Sequence, residues 1–286
     1  MKIYTAKGAG FCFGVKRAVD MAYKCALKGE KGSVYSYHEI IHNPQEVKRL
    51  EAAGARHVEN INEIGSGATV IVSTHGVTPA EERELKDRQF KILDTTCPYV
   101  KKIHLIAEKL AKEDFQIIIV GDIDHLEVRG ILGCAGRHGA VISCAKDVNR
   151  LKLGRKIGIV SQTTQNEKEY REIICRVIEK AFSVRQAEVR VFNTICDATG
   201  LRQDETVRLA GKTGVMIIIG GINSANTKRL YKLSRKILKN THHVEDAAGI
   251  KKAWFKGCKS AGVSGGASTP DAAIEAAVRR IKDITG

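Results

Sequence analysis

The stretch QIIIVGDIDH, residues 116–125, begins with a β-branched apolar run and passes at Gly121 into a loop of small, polar and hydrogen-bonding residues. An apolar run this short, stopped by a turn signal, reads as a strand buried on both faces, as parallel sheets require. The pattern recurs. Strands are expected at Lys2–Ala6, Val34–Tyr37, Thr69–Ser73, Lys91–Leu93, Gln116–Val120, Lys156–Val160, Glu188–Phe192, Val215–Ile219 and Ser260–Val263, with amphipathic helical patterns between them. Strand and helix in alternation predict repeated βα units and an α/β fold. The loops after the strands read STHG (73–76), GDIDH (121–125), SQTT (161–164), GGINSANT (220–227) and SGGAST (264–269). Open parallel sheets bind ligands beyond the carboxyl ends of their strands, so these loops form the expected binding face.

Helix starts follow directly. Asn43-Pro44-Gln45-Glu46, Thr78-Pro79-Ala80-Glu81 and Thr164-Gln165-Asn166-Glu167 fit an N-cap with a carboxylate at N3, and Thr269-Pro270 resembles the same start. Helix N-termini offer free N–H groups and a positive dipole end, so this face can hold a phosphate without Lys or Arg. Cys12, Cys97 and Cys196 each follow an expected strand and precede a helical segment, 85 and 99 residues apart. After Cys12, Val15, Val19, Ala22 and Ala26 share a helical face, as do Tyr99, Ile103, Ile106 and Leu110 after Cys97. This weak repeat suggests three similar α/β units, 1–95, 96–193 and 194–286, each bringing one thiol toward a common centre, the first strand being able to pack with another unit. Cys25, Cys134, Cys144, Cys175 and Cys258 read as structural.

The chain has 286 residues, 43% apolar and 28% charged, a globular profile with room for two domains or three small ones. No apolar run approaches the roughly 20 residues of a membrane helix, and no apolar signal segment follows the N-terminus. A cytoplasmic location is expected, where eight cysteines are not a disulfide framework. No Cys-x-x-Cys occurs, which excludes the zinc ribbon, the thioredoxin motif and the clustered ferredoxin pattern, so a metal site must gather distant ligands. The net charge of +15 grows toward the C-terminus: 14 basic residues face 12 acidic ones before Thr96, and 16 face 8 from Thr194 onward. Lys228, Arg229, Lys232, Arg235, Lys236 and Lys239 form the densest patch, read first as a solvated helix face. As a docking face it suits an acidic protein, with nucleic acid ranked last because only 5% of residues are aromatic.

Two metal motifs are rejected. His38-Glu39-Ile40-Ile41-His42 matches the zinc-protease pattern, but that motif needs one continuous helix and these residues leave a strand just before Pro44. His42 instead precedes the Asn43 cap, where it could touch an anion. His125 and Glu127 resemble part of a zinc-deaminase signature whose Pro-Cys-x-x-Cys partner is absent. Glu127, just beyond a buried strand, is placed either as an ordinary helix-start carboxylate or as a proton donor.

GFCFGVKRA, HEIIHN, STHGV, DTTCP, H-x-E-V-x-G, SQTT, Cys196 with Ala198-Thr199, N-S-A-N and GAS-x-P-D stand in the order and spacing of the 4-hydroxy-3-methylbut-2-enyl diphosphate reductases, the IspH or LytB family. The chain resembles that family over nearly its whole length. The resemblance implies a trefoil of three α/β units with mostly parallel sheets around a central cavity, and in it a 4Fe-4S cluster. It assigns the ligands to Cys12, Cys97 and Cys196, leaving one iron open to the substrate's allylic hydroxyl. The implied reaction removes that hydroxyl as water, with two electrons and two protons, giving isopentenyl and dimethylallyl diphosphate in the non-mevalonate pathway. Glu127 corresponds to the proton-delivering carboxylate and Thr163 to the threonine beside the hydroxyl, with His125 joining the catalytic set. His42, His75, His125, Thr163, Ser224, Asn226 and Ser268 correspond to the substrate-binding residues, with Asn43, Gln162, Thr164 and Thr199 as neighbours. The implied electron donor is an acidic ferredoxin or flavodoxin.

Three departures stand out. Leu126 replaces a proline common before the glutamate, Ala225 a frequent second serine, and Leu201 a frequent asparagine. They lead us to expect altered affinity or dynamics rather than lost activity. The alternatives are a cluster-free α/β enzyme acting on a phosphorylated metabolite, and a basic nucleic-acid-binding protein resting on charge alone.

Overall fold

The computed structural model describes residues 1–30 and 32–286. The chain begins with β1 (Lys2–Thr5), α1 (Phe13–Lys28), β2 (Val34–Tyr37), α2 (Pro44–Ala52), β3 (Ala55–Val58), β4 (Thr69–Val72), α3 (Pro79–Asp87) and β5 (Lys91–Asp94). It continues through α4 (Pro98–Lys112), β6 (Gln116–Val120), α5 (Leu126–Ala135), β7 (Gly139–Ile142), β8 (Lys156–Ser161), α6 (Glu167–Ala181) and β9 (Glu188–Val191). It ends with α7 (Asp197–Ala210), β10 (Val215–Ile219), α8 (Ala225–Ile237), β11 (Thr241–Val244), β12 (Ser260–Gly265) and α9 (Asp271–Thr285).

Every pairing among these strands is parallel. Three four-stranded sheets result, ordered β3-β2-β4-β5, β7-β6-β8-β9 and β11-β10-β12-β1. Numbered within its own sheet along the chain, each runs 2-1-3-4, with the chain's first strand serving as the fourth strand of the last sheet. The α/β class and the three similar units of parallel sheet are as expected. By contacts the chain divides into two units. The first comprises Met1–Val19, Ile41–Arg49 and Asp197–Gly286 and holds the sheet that contains β1; the second, Asp20–Ile40 and Leu50–Cys196, holds the other two.

The central strands show why these sequences fold as they do. Ile117 and Ile119 of β6 pack with Ile103 and Leu110 of α4, Phe115, and Val128 and Ile131 of α5. Ile118 and Val120 face the opposite way, toward Tyr170, Ile173 and Val177 of α6. A strand presenting alternate residues to two helical layers must be apolar at every position, as QIIIV is. In β10, Val215, Ile217 and Ile219 meet Ile274, Ala277 and Ile281 of α9, while Met216 and Ile218 meet Ala210 and Leu230.

All nine expected strands are present, and three more appear. β3 (ARHV), β7 (GAVI) and β11 (THHV) are each the second strand of their repeat and lie at a sheet edge. With a neighbour on one side only and one face partly in solvent, such strands need no continuous apolar run, and ARHV and THHV have none. Thr78 and Glu81 form the expected capping box on α3, and Asn43 caps α2, its Oδ1 accepting from Gln45 N and Glu46 N at 3.0 and 3.3 Å. Two expected caps move. α6 is capped by Asn166, two residues beyond Thr164, and Thr269 donates its hydroxyl to Ile219 O at 2.9 Å instead of capping α9. Residues 38–43 contain no helix, consistent with rejecting the zinc-protease motif. Cys175 and Cys144 are exposed, so neither packs in a core as an apolar reading implied.

Candidate active site

In the second unit the site residues lie where strands end. α5 begins beyond β6, with His125 as its N-cap: the ring Nδ1 accepts from Glu127 N at 3.2 Å. In the neutral ring that leaves the proton on Nε2, making it a hydrogen-bond donor. Leu126 therefore sits at the first helical position without disturbing the cap that aims Glu127. Glu127 is 2% exposed, and its carboxylate clasps the loop after β8. Oε1 accepts from Thr163 N at 2.6 Å and Oε2 from Thr163 Oγ1 at 2.8 Å. Gln162 is buried, and its Oε1 accepts from Asp122 N at 3.2 Å, which braces the β6 loop against the β8 loop. His75, in the loop after β4, stands edge-on to His125 with ring centroids 5.3 Å apart. The next residue, Gly76, has φ +74°, and a Cβ there would come within about 3 Å of His104 and Thr96, so the turn requires glycine.

His104 of α4 lies beneath this loop, its Nε2 buried and without a hydrogen-bond partner. Burial holds its pKa below the ordinary range despite nearby carboxylates, so the ring is neutral.

The first unit carries the remaining residues. Asn43 Nδ2 donates to Ser268 O at 2.8 Å, tying the start of α2 to the loop after β12. Ser268 Oγ lies 3.3 Å from Ser224 Oγ and 3.4 Å from His42 O. Ser224 caps α8, its hydroxyl accepting from Thr227 N at 3.3 Å. At the second position of α8, Asn226 is 4% exposed, and neither its amide nitrogen nor its amide oxygen has a partner. A buried amide left unpaired costs about 1–3 kcal/mol, and both of these atoms remain open to a hydrogen-bonding partner. Ala225 occupies the first helical position and leaves the Ser224 cap in place.

The cysteines show a regularity that composition could not. Cys12 follows β1, Cys97 follows β5 and Cys196 follows β9, each beyond the fourth strand of a sheet and before a helix. Each backbone N–H donates to the loop beyond the third strand of the same sheet: Cys12 to Ala267 O at 3.3 Å, Cys97 to Thr74 O at 3.0 Å and Cys196 to Thr163 O at 3.1 Å. All three stand outside any disulfide and are of intermediate burial. As thiolates, they fit iron in an iron-sulfur group.

Sequence reasoning missed the grip on Cys12. Arg202 of α7, 4% exposed, donates from Nε to Gly8 O at 2.6 Å and from Nη2 to Gly10 O at 2.9 Å. Glu205, one turn on, accepts from Lys7 N and Gly8 N at 2.8 and 2.9 Å. Gly10 has φ +109°, and a Cβ would collide with Asp271 Oδ1. The available signal was an Arg and a Glu three apart on one helical face, where the neighbouring Leu201 is exposed instead.

Residues 3–282 match the profile of the family described as LytB protein. The 4-hydroxy-3-methylbut-2-enyl diphosphate reductase of Geobacter sp. (strain M21) is 46% identical over 285 residues, covering 99% of this chain and 98% of that protein. The protein of the same name from Aquifex aeolicus (strain VF5) is 44% identical over 286 residues, covering 99% and 96%. Among solved structures, the E-1-hydroxy-2-methyl-but-2-enyl-4-diphosphate reductase of Plasmodium falciparum superposes with a TM-score of 0.91 at 27% identity, over 97% of this chain and 87% of that one. A structure described as (E)-4-hydroxy-3-methyl-but-2-enyl diphosphate reductase, the terminal enzyme of the non-mevalonate pathway, gives 0.70 at 43% identity, over 99% and 100%.

Proposed function

The chain belongs to the LytB family, and from that premise we infer that it reduces 4-hydroxy-3-methylbut-2-enyl diphosphate, the last step of the non-mevalonate route to isoprenoid precursors. We propose further that Cys12, Cys97 and Cys196, one from each of the repeats 1–95, 96–193 and 194–286 of a trefoil, ligate a 4Fe-4S cluster with one iron open. The observation that carries this reading is the threefold recurrence of a cysteine after a fourth strand, each tied by its N–H to the adjoining loop. When bound, the cluster would relay the two electrons one at a time from an external carrier and would offer a Lewis-acidic iron to the allylic hydroxyl.

The protein's own part is proton delivery and diphosphate binding. Glu127 Oε1 already accepts from a backbone N–H, which has no lone pair to receive a proton, so the added proton belongs on Oε2. There it donates to Thr163 Oγ1, whose own hydrogen is released toward the departing hydroxyl. Removal of that hydroxyl as water consumes one proton, and the allyl carbon takes the second with the two electrons. The diphosphate receives neutral donors: the Nε2–H of His125, His42, His75, the Asn226 amide and the hydroxyls of Ser224 and Ser268. Helix N-termini at α2, α5 and α8 favour the anion without a lysine or arginine.

The electron donor, in this reading, is an acidic one-electron carrier of the ferredoxin or flavodoxin kind, docking on α8. Lys228, Lys232 and Lys236 are exposed there, as is Lys239 just beyond the helix end. Arg235 is committed elsewhere, donating to Lys239 O and Thr241 O at the helix end. We place the enzyme in the cytoplasm, in keeping with eight cysteines that form no disulfide with one another; no described helix is long and apolar enough to cross a membrane.

The test is iron and acid-labile sulfide per chain on anaerobically purified protein, followed by oxidation of a reduced dye on adding the allylic diphosphate. Close to four of each, lost in Cys12, Cys97 or Cys196 variants but not in Cys25 variants, with substrate-dependent dye oxidation, is expected. Absence of iron after anaerobic reconstitution overturns the cluster, and dye oxidation without added substrate dependence overturns the reaction.

A further inference from the structure

His38 has no part in the chemistry above, yet both its backbone and its ring are held. It follows the last residue of β2, is 5% exposed, and takes φ +60°, a left-handed conformation that histidine rarely adopts. Its backbone is fixed on both sides: N–H donates to Val58 O at 3.0 Å, and the carbonyl accepts from Ser36 Oγ at 3.0 Å. Both ring nitrogens face carboxylates. Nδ1 lies 2.6 Å from Glu59 Oε2, and Nε2 lies 3.8 Å from Glu81 Oε1. A neutral ring has one N–H and one lone pair, so only imidazolium can present a donor to both.

The surroundings keep the charge there. Glu81 is fixed by Thr78 N at 2.7 Å and by the Tyr37 hydroxyl at 2.9 Å, and these bonds with His38 hold its carboxyl at about 2 although burial opposes it. Glu59 also meets His57 Nε2 at 3.0 Å. Arg129 of α5 and Glu84 of α3 act on Tyr37 from further off. Burial works against a charged His38, but the carboxylates of Glu81 and Glu59 outweigh it and raise its pKa above the ordinary value.

This clamp sits where the loop to the site begins. Two residues on, Ile40 O accepts from both the N–H and the hydroxyl of Thr74, at 3.2 and 3.0 Å, and Thr74 directly precedes His75. The chain from Ile40 then runs directly to His42 and Asn43. We propose that His38 is a positioning residue: its imidazolium, gripped by Glu59 and Glu81, sets the left-handed turn that places the His42 and His75 loops for diphosphate binding. Loss of its proton slackens the turn and weakens that binding. This rests on the reading of His42 and His75 as diphosphate ligands.

The experiment titrates the holoenzyme with inorganic diphosphate by calorimetry from roughly pH 6 to 9, in wild type, Glu59→Gln and His38→Asn. Asn tolerates the left-handed turn but carries no charge. Protonation of diphosphate itself is common to all three proteins and cancels in the comparison. We expect wild-type affinity to fall about tenfold across the His38 titration, as loss of a charge-assisted bond would produce. In Glu59→Gln the fall moves about one unit lower, because one of two carboxylates is gone. His38→Asn binds weakly at every pH, and in turnover its loss falls on KM rather than kcat. Glu59 is largely exposed, so its variant folds even if His38→Asn does not. Identical profiles for wild type and Glu59→Gln overturn the proposal while leaving the reductase reading intact. No diphosphate binding by wild type at any pH overturns the ligand assignment and this proposal together, whereas absent turnover with binding intact counts against the reductase reading alone.

Discussion

At the scale of single residues, Glu127 and Asn226 differ in what the fold has already given them. Glu127 has both oxygens engaged by Thr163, so replacing it with Gln keeps much of the clasp and removes the proton. Glu127→Gln is expected to retain iron and sulfide and to lose about 10²–10⁴ in kcat, the usual span for general acid catalysis. Dye oxidation at saturating substrate measures it, and normal turnover would end the proton-delivery role. Asn226 has nothing engaged, and its buried amide is a cost carried by the ligand-free protein. Asn226→Ala should therefore leave folding stability unchanged or raised by about 1 kcal/mol while raising KM about tenfold. Thermal melts and KM together check this; a variant that melts earlier with KM unchanged would make Asn226 a structural residue.

The elements explain why some of this was legible and some was not. Parallel strands buried on both faces announce themselves, so β6 and β10 follow from QIIIV and VMIII, and the loops beyond them carry His125, Glu127, Ser224 and Asn226. Edge strands such as ARHV and THHV have no such signature, and β7 (GAVI) is apolar but only four residues long, so β3, β7 and β11 went unread. Cys12, Cys97 and Cys196 stood out from their place between strand and helix, but the bonds that hold them depend on partners up to 255 residues away, as Cys12 and Ala267 show. Arg202 is the sharpest case: a charged residue on a helix reads as solvated until the backbone it grips is known. Its guanidinium serves the carbonyls of Gly8 and Gly10, and the loop they form delivers Cys12 to the end of α1. Arg202→Met removes those donors and strands buried carbonyls, a loss of about 2–4 kcal/mol. Iron per chain should fall in this variant while Thr163 and Glu127 are untouched; full iron content with a lowered melting temperature would confine Arg202 to stability.

Across the whole molecule the charge is distributed very unequally. The first unit carries 22 basic and 9 acidic residues, the second 25 and 23, so nearly all of the net +15 resides in the unit built on β1, β10, β11 and β12. None of the diphosphate donors assigned above is a lysine or arginine, so this surplus is not consumed by the substrate. Part of it holds backbone: Arg235 donates to the Lys239 and Thr241 carbonyls, in the turn from α8 into β11. The lysines left exposed on α8 would raise the encounter rate with an acidic carrier, an effect of charge at a distance that salt screens over about 8–10 Å. A small neutral dye feels no such field. Reduction through the protein carrier is therefore expected to slow steeply as salt rises from low to physiological strength, with dye-driven turnover nearly constant. Reversing charge at Lys232 and Lys236 should reproduce the slow rate at low salt and abolish most of the salt dependence, with the change in association rate rather than in kcat. Carrier-driven rates that fall equally in the wild type and the reversed variant would assign the salt effect to the carrier's own surface and leave α8 a solvated face.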